Sequence, residues 1–366
     1  MALAKITLHD FRNHAASELR ETAQFNLLVG ENGAGKTNVL EALSLLAPGR
    51  GLRRASAETL ARNNAGEDEP RGFAVGASLV EQGQVSARLG TYTLPDRPTR
   101  RLVRINGADA SASALSEWLA LAWLTPAMDG LFTDSAGARR RFVDRMALAI
   151  EPGHARAVAR LETALRERNR LLEERGDARW LDAIEMQAAQ HGSDVARVRG
   201  QLIARLVDEL SALPSEPFAR PLLTYRPGGP GDEDGLRAEL ARSRGRDRAA
   251  GRALTGPHRD ELEVHMAHAD GSRGQPAAAS STGEQKAMLI AITLAHTAIA
   301  AAGRPSVLLL DEVAAHLDPV RREALFARLR AGRAQVWLTG TEMAPFAAIA
   351  DEAAVWRVSG GTLERV

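Results

Sequence analysis

Residues 25–46 read FNLLVGENGAGKTNVLEALSLL. Phe25–Val29 is an apolar run of strand length, and Asn38–Leu46 has the spacing of an amphipathic helix. Between them GENGAGKT, Gly30–Thr37, matches G-x-x-x-x-G-K-[ST]. Strand, glycine-rich turn and helix, in that order, are the setting in which this motif holds nucleotide phosphates. Gly30, Glu31, Asn32, Gly33, Ala34 and Gly35 would wrap their N–H groups around a β-phosphate, and the helix start adds its positive dipole end. Lys36 would bridge β- and γ-phosphates, and the Thr37 hydroxyl would ligand Mg²⁺.

Such a loop needs an acidic strand end beside it. SVLLLDE, at 306–312, is a buried-strand run closed by two carboxylates. Asp311 is suited to hold Mg²⁺, directly or through water, and Glu312 to polarise the attacking water. A solvated acidic pair is the plainer alternative. The acidic strand follows the loop by about 275 residues, more than one compact α/β domain needs. Residues 1–110 and 255–366 are therefore expected to fold together as a discontinuous α/β lobe, with 111–254 inserted as a mostly helical lobe.

A second anion-seeking turn lies at STGEQK, 281–286. Ser281 can donate its hydroxyl, Gly283 permits close backbone approach, and a helix start favours negative charge. One nucleotide cannot readily use two such sites from one subunit. In a two-fold dimer, each subunit's Ser281 could cap the γ-phosphate held by its partner's Lys36. An ordinary helix cap at Ser281 accounts for the same residues.

The chain of 366 residues has ordinary globular composition, with 45% hydrophobic and 25% charged residues and a net charge of +1. Global charge thus points to neither nucleic acid nor membrane. Of 47 basic residues only Lys5, Lys36 and Lys286 are lysines, so arginine clusters weigh less than usual here. The absence of cysteine excludes disulfides, thiol catalysis and Cys-based zinc sites. MALAKITLHDF alternates like a strand, and the apolar window Ala287–Ala302 falls short of the ~20 residues a membrane span needs, so a soluble cytoplasmic protein is expected. Residues 71–106 read as a small antiparallel sheet, 226–252 as a loop and short helix, and the chain after about 280 as α/β again, with helices at 283–302 and 319–330 and strands at 306–310 and 335–338. Segments 154–175 and 178–212, split by Arg175-Gly176-Asp177, repeat apolar residues near every 3.5 positions and predict an antiparallel helical arm, with a pair of ordinary packed helices as the alternative. Dense charge such as Arg166-Glu167-Arg168 is expected on its exterior.

The ordered elements resemble the ABC-ATPase head of SMC/Rad50-like proteins. The whole chain resembles the RecF family, through HDFRNH (9–14), GENGAGKT, GRGLRRAS (49–56), WLTP (123–126), ARRRFVDRM (138–146), LTGPHRDELEV (254–264), STGEQKAM, LLLDEVAAHLD (308–318) and QVWLTGTE (335–342). The resemblance implies ATP and Mg²⁺ as cofactors, an ATP-dependent homodimer, DNA-stimulated slow hydrolysis, and recombinase loading at gapped DNA with RecO and RecR partners, in repair and replication-fork maintenance. It places Arg12 and Asn13 near the phosphates, Ser281 in trans, and Asp318 in the loop that communicates across the dimer. Two departures stand out. Thr339-Gly340-Thr341 occupies the place of the usual switch histidine, and LTPAMDG (124–130) offers no glutamine where ABC ATPases carry one.

DNA backbone contacts are expected from Arg50, Arg53 and Arg54, from Arg139, Arg140 and Arg141, or from the Arg242–Arg252 series, although each also reads as a solvated face. An ABC transporter subunit is the first alternative; the long insertion counts against it. A nucleotide-gated scaffold with negligible hydrolysis is the second, and Glu312 counts against that one.

Overall fold

The computed structural model describes residues 2–62, 71–81, 83–148, 150–213, 217–218, 220–268 and 270–366. The chain divides into two compact units, Met1–Met128 with Thr293–Val366, and Asp129–Ile292. The boundaries therefore fall later than the expected 110/111 and 254/255. The helical pattern expected after 110 is broken by Ala120–Leu124, a strand that pairs in parallel with Ser306–Leu310. Backbone pairing ties that segment to the first unit.

The first unit is built on two six-stranded sheets. One is mainly parallel, in the order Thr362–Arg365, Ala353–Ser359, Phe25–Val29, Gln335–Gly340, Ser306–Leu310, Ala120–Leu124. Its central strands are buried at nearly every position and mostly apolar, as strands covered on both faces are. Trp337 and Trp356 stack within it at a centroid distance of 5.5 Å. The other sheet is antiparallel, ordered His14–Leu19, Leu3–Phe11, Ala74–Glu81, Gln84–Leu94, Arg97–Ile105, Ala108–Ala110. Ile6, Leu8, Phe11 and Leu19 bury its inner face, and the edge-on pair Phe11–Phe73 fills one end.

In the second unit, helices His154–Glu173 and Ala178–Ala212 run antiparallel, with Leu161, Leu165 and Leu172 meeting Ala188, Val195 and Leu181. At ~1.5 Å rise per residue they extend about 30 and 52 Å. Asp177 caps the longer helix by accepting from the Arg179 N–H. The segment expected to be a loop and short helix instead forms an 18-residue helix, Glu233–Ala250, closed by left-handed Gly251. Its few apolar residues, Leu236 and Leu240, lie one turn apart and pack on the hairpin. That third helix also corrects the placing of Arg168, which is fully buried. Its guanidinium pairs with Glu185 at 2.9 Å and Asp247 at 2.8 Å. Two buried carboxylates and the Leu240 carbonyl compensate a charge that would otherwise be forbidden there. A three-stranded antiparallel sheet, Pro221–Arg226, Glu261–Ala267 and Arg273–Pro276, completes the unit.

Candidate nucleotide-binding site

The phosphate loop connects Phe25–Val29 to helix Lys36–Ser44. Gly35 begins the helix in a left-handed conformation, φ 116°, and a Cβ there would lie 2.7 Å from the Asn13 side chain. Only glycine meets both conditions. The Lys36 ammonium donates to the Gly30 and Glu31 carbonyls at 2.7 and 2.8 Å, so the lysine is folded onto its own loop. Burial pulls its pKa down, against the opposing pull of the Glu312 and Asp311 carboxylates.

Residues from the first antiparallel sheet brace this loop. Asn13 donates to the Ala34 carbonyl at 3.0 Å and accepts from the Asn38 side chain at 2.7 Å. Arg12 has a positive φ of 54° and forks onto both oxygens of Glu41, which is fully buried in the loop helix. Arg12 thus reaches the helix, and Asn13 the loop. Arg53 donates to Asn38 at 2.9 Å and also pairs with Glu41. Arg50, Arg53 and Arg54 are exposed.

Asp311 lies at the carboxyl end of its strand, where parallel pairing with Gln335–Gly340 brings Thr339 beside it. Its Oδ1 accepts from the Thr37 hydroxyl at 3.0 Å and from Thr339 at 2.8 Å. Burial raises the Asp311 pKa, the two hydroxyls counteract it in part, and Glu312 adds to the rise. Glu312 stands at φ 55°, a conformation costing roughly 1–3 kcal/mol that turns its N–H onto Thr339 Oγ1 at 2.9 Å. Thr339 therefore serves both carboxylate residues. In the sequence it stood out only as a substitute for histidine. The converging Thr37 and Asp311 oxygens fit Mg²⁺, which takes one or two protein oxygens and leaves its other positions to water and phosphate. Among the described residues no cluster of three or more His, Asp or Glu forms a denser cation site.

Ser281 lies in the other unit, at the start of helix Thr282–Ala301. Its N–H and hydroxyl both donate to Glu284, at 2.8 and 2.9 Å, and its Oγ accepts from the Glu284 N–H at 3.3 Å. This is a capping box. Ser281 and Gly283 remain exposed. Lys286, one turn on, pairs with Asp129 of the LTPAMDG segment at 3.3 Å. Asp318 caps helix Pro319–Ala331 by accepting from the Arg321 N–H at 2.9 Å. Arg139 is engaged by both oxygens of Glu261, and Arg140 donates to the Asp260 carbonyl, whereas Arg141 is exposed.

Comparison with known proteins fits this geometry. Residues 2–360 match the model of the RecF/RecN/SMC N-terminal domain family. The "DNA replication and repair protein RecF" of Brucella suis biovar 1 (strain 1330) is 44% identical over 99% of this chain and 96% of its own. That of Rhizobium leguminosarum bv. trifolii (strain WSM2304) is 42% identical, covering 99% and 98%. A solved structure of "the recombination mediator protein RecF-ATPrS in RecFOR pathway" superposes with a TM-score of 0.84 at 21% identity, over 100% of this chain and 98% of that one. The Smc head from Pyrococcus furiosus matches more loosely, at a TM-score of 0.55 and 15% identity, covering 100% and 96%. Sequence along nearly the whole length and fold along all of it agree, and the chain belongs to the RecF family of ABC-type ATPases.

Proposed function

We propose that this protein is an ATP-dependent DNA-binding ATPase of recombinational repair that dimerises around ATP and hydrolyses it slowly. The observation that carries the reading is the meeting of Lys36, Thr37, Asp311 and Glu312 at one strand end. A RecF of the same fold described as RecF-ATP supports ATP as the nucleotide.

On this reading Lys36 leaves the Gly30 and Glu31 carbonyls for the β- and γ-phosphates. Thr37 and Asp311 hold Mg²⁺, which supplies positive charge against the phosphate oxygens when bound. Glu312 is the base that orients water; among the described residues no hydrogen bond or ion pair engages its carboxylate. Thr339 holds Asp311 and the Glu312 backbone but cannot act as an acid or base, which favours slow turnover. Arg50, Arg53, Arg54 and Arg141 are the candidates for DNA phosphates. Arg139 and Arg140 are already engaged, so their contribution would be smaller. RecO- and RecR-type mediators are the partners that the family suggests.

Ser281 is assigned to the partner subunit's ATP, and mixing two variants tests this. Ser281→Arg and Lys36→Met each damage both composite sites of a homodimer and are expected to be inactive alone. A mixed dimer contains one site with intact Lys36 and intact Ser281. Mixing should therefore restore ATP-dependent association, because ATP stabilises the dimer only where both halves contact it. Sedimentation in ATP reads it, and no gain on mixing would favour a helix cap alone.

A further inference from the structure

HDFRNH ends in a histidine that the nucleotide reading leaves unused. His14 is fully buried, at the head of strand His14–Leu19. Its Nε2 lies 3.2 Å from the Gly35 carbonyl oxygen and its Nδ1 3.0 Å from Ser17 Oγ. The Ser17 hydroxyl reaches the Gly361 carbonyl at 3.3 Å, and the Gly361 N–H donates to the Ala34 carbonyl at 3.0 Å. The ring thus joins the phosphate loop to the turn of the hairpin Ala353–Arg365. Gly35 O also accepts the Asn38 and Val39 N–H groups, so whatever holds it sets the start of the loop helix. Space at both ends is already closed: a Cβ on Gly35 would lie 3.0 Å from His14 Nε2, and one on Gly361 2.1 Å from the Asn13 carbonyl oxygen.

The hydrogens decide what this chain of contacts needs. Gly35 O only accepts, so Nε2 must carry hydrogen. Ser17 has one hydroxyl hydrogen, for either Gly361 O or Nδ1. A neutral ring takes that hydrogen and releases Gly361 O. A protonated ring donates from both nitrogens, and every contact is then made.

We propose that His14 is a positioning residue of the phosphate loop and that it takes up a proton when nucleotide phosphates bind. The inference rests on the ATP site proposed above. In the free protein burial lowers the His14 pKa, and the bonds to the Gly35 and Gly361 backbone offset this only in part. The ionisable groups on the elements packed around it are Lys36 and Glu31 of the loop, Glu41 of the helix with its partner Arg12, Glu18 of its own strand, Lys5, His9 and Asp10 of the paired strand Leu3–Phe11, and Arg357, Glu364 and Arg365 of the hairpin. Among the described residues none of these is hydrogen-bonded to the ring. Bound phosphates add negative charge across the loop and favour the imidazolium. By linkage, the protonated ring favours nucleotide by the same factor. The sign follows: ATP binding tightens as pH falls through the ATP-bound pKa of His14, and the gain levels off below its lower, free-protein value.

The test measures ATP affinity at about pH 8 and about pH 5.5, either side of the ordinary histidine pKa, for wild type, His14→Gln and His14→Leu. The terminal phosphate of ATP titrates in the same window, so the difference between wild type and His14→Gln is the readout. Glutamine keeps an N–H for Gly35 O but cannot take up a proton. Wild type should gain severalfold more affinity than His14→Gln on acidification, and calorimetry in two buffers should show proton uptake that the variant lacks. His14→Leu, which can neither donate to Gly35 O nor take up a proton, should bind ATP about tenfold more weakly than wild type at about pH 8 and fall severalfold further behind at about pH 5.5. Equal pH profiles for wild type and His14→Gln, or wild-type affinity in His14→Leu, would overturn the inference while leaving the ATP site standing. Wild type that binds no ATP would remove the site and the inference together.

Discussion

Replacing Arg199 by methionine is expected to destabilise the unit Asp129–Ile292 by about 3–5 kcal/mol, the usual result of stranding buried carboxylates. Arg199 is 4% exposed. Two arms of its guanidinium meet the two oxygens of Asp144 at 2.8 and 2.9 Å, and the third reaches Asp260 at 2.8 Å and the Pro257 carbonyl at 2.6 Å. One arginine thus joins helix Ala136–Ala147, helix Ala178–Ala212 and the GPHRD turn. Burial alone would raise the Asp144 carboxyl; hydrogen bonds from His154 and Arg199, with the charge of Arg199, hold it below the ordinary range. Methionine keeps the length and removes all the Arg199 contacts, leaving Asp144 with His154 alone and Asp260 with Tyr225 and the Gly228 N–H. In wild type the Asp144 contribution is present above the ordinary carboxylate pKa and is lost as pH falls through the lower folded value. In the variant burial dominates, the carboxyl titrates higher, and the deficit should shrink as pH falls from neutrality. Hydrogen exchange along Ala178–Ala212 reads the local loss. Protection within a few tenths of a kcal/mol of wild type would refute the account.

Lys36→Arg is expected to lower ATP turnover by about 10²–10³-fold, the scale seen when one aimed donor is lost from a reacting site. The ammonium is a compact charge at the centre of a curl whose carbonyls lie 2.7 and 2.8 Å away. A planar guanidinium keeps the charge but cannot occupy that space in the same orientation. Lys36 is 4% exposed, and Asn13 and His14 close the loop from behind, so the larger head has little room to shift. Weak ATP binding should survive. Steady-state hydrolysis within threefold of wild type would exclude Lys36 as the phosphate lysine.

What the sequence made legible follows the range of the interactions. Gly30–Thr37 announces itself because backbone conformation, charge and hydroxyl lie within one turn of chain, and SVLLLDE because a fully apolar strand ending in acid is a local pattern. Thr339 was opaque: its role comes from parallel pairing that sets it beside Asp311, and a threonine in a strand announces nothing. Ala120–Leu124 looked like the edge of a helical block because its partner, Ser306–Leu310, lies far away in sequence. Helix Glu233–Ala250 was masked by Gly235, Gly245 and a run of arginines, while the burial that stabilises it comes from neighbouring helices. Arg168 reads as solvated charge until Glu185 and Asp247 are placed around it.

The pairing of Phe25–Val29 has a consequence in time. Its two neighbours in the sheet are Gln335–Gly340 and Ala353–Ser359, and the turn that fastens the phosphate loop contains Gly361. At ~5–20 residues per second, a ribosome needs roughly 15–60 s to make the intervening chain. Throughout that interval an apolar strand with two unsatisfied edges has no native partner, and by its last part, once residue 292 is made, the unit Asp129–Ile292 has all of its own residues. The nascent chain should therefore depend on shielding of residues 25–29, and a stall before residue 335 would leave a folded helical unit tethered to an aggregation-prone strand.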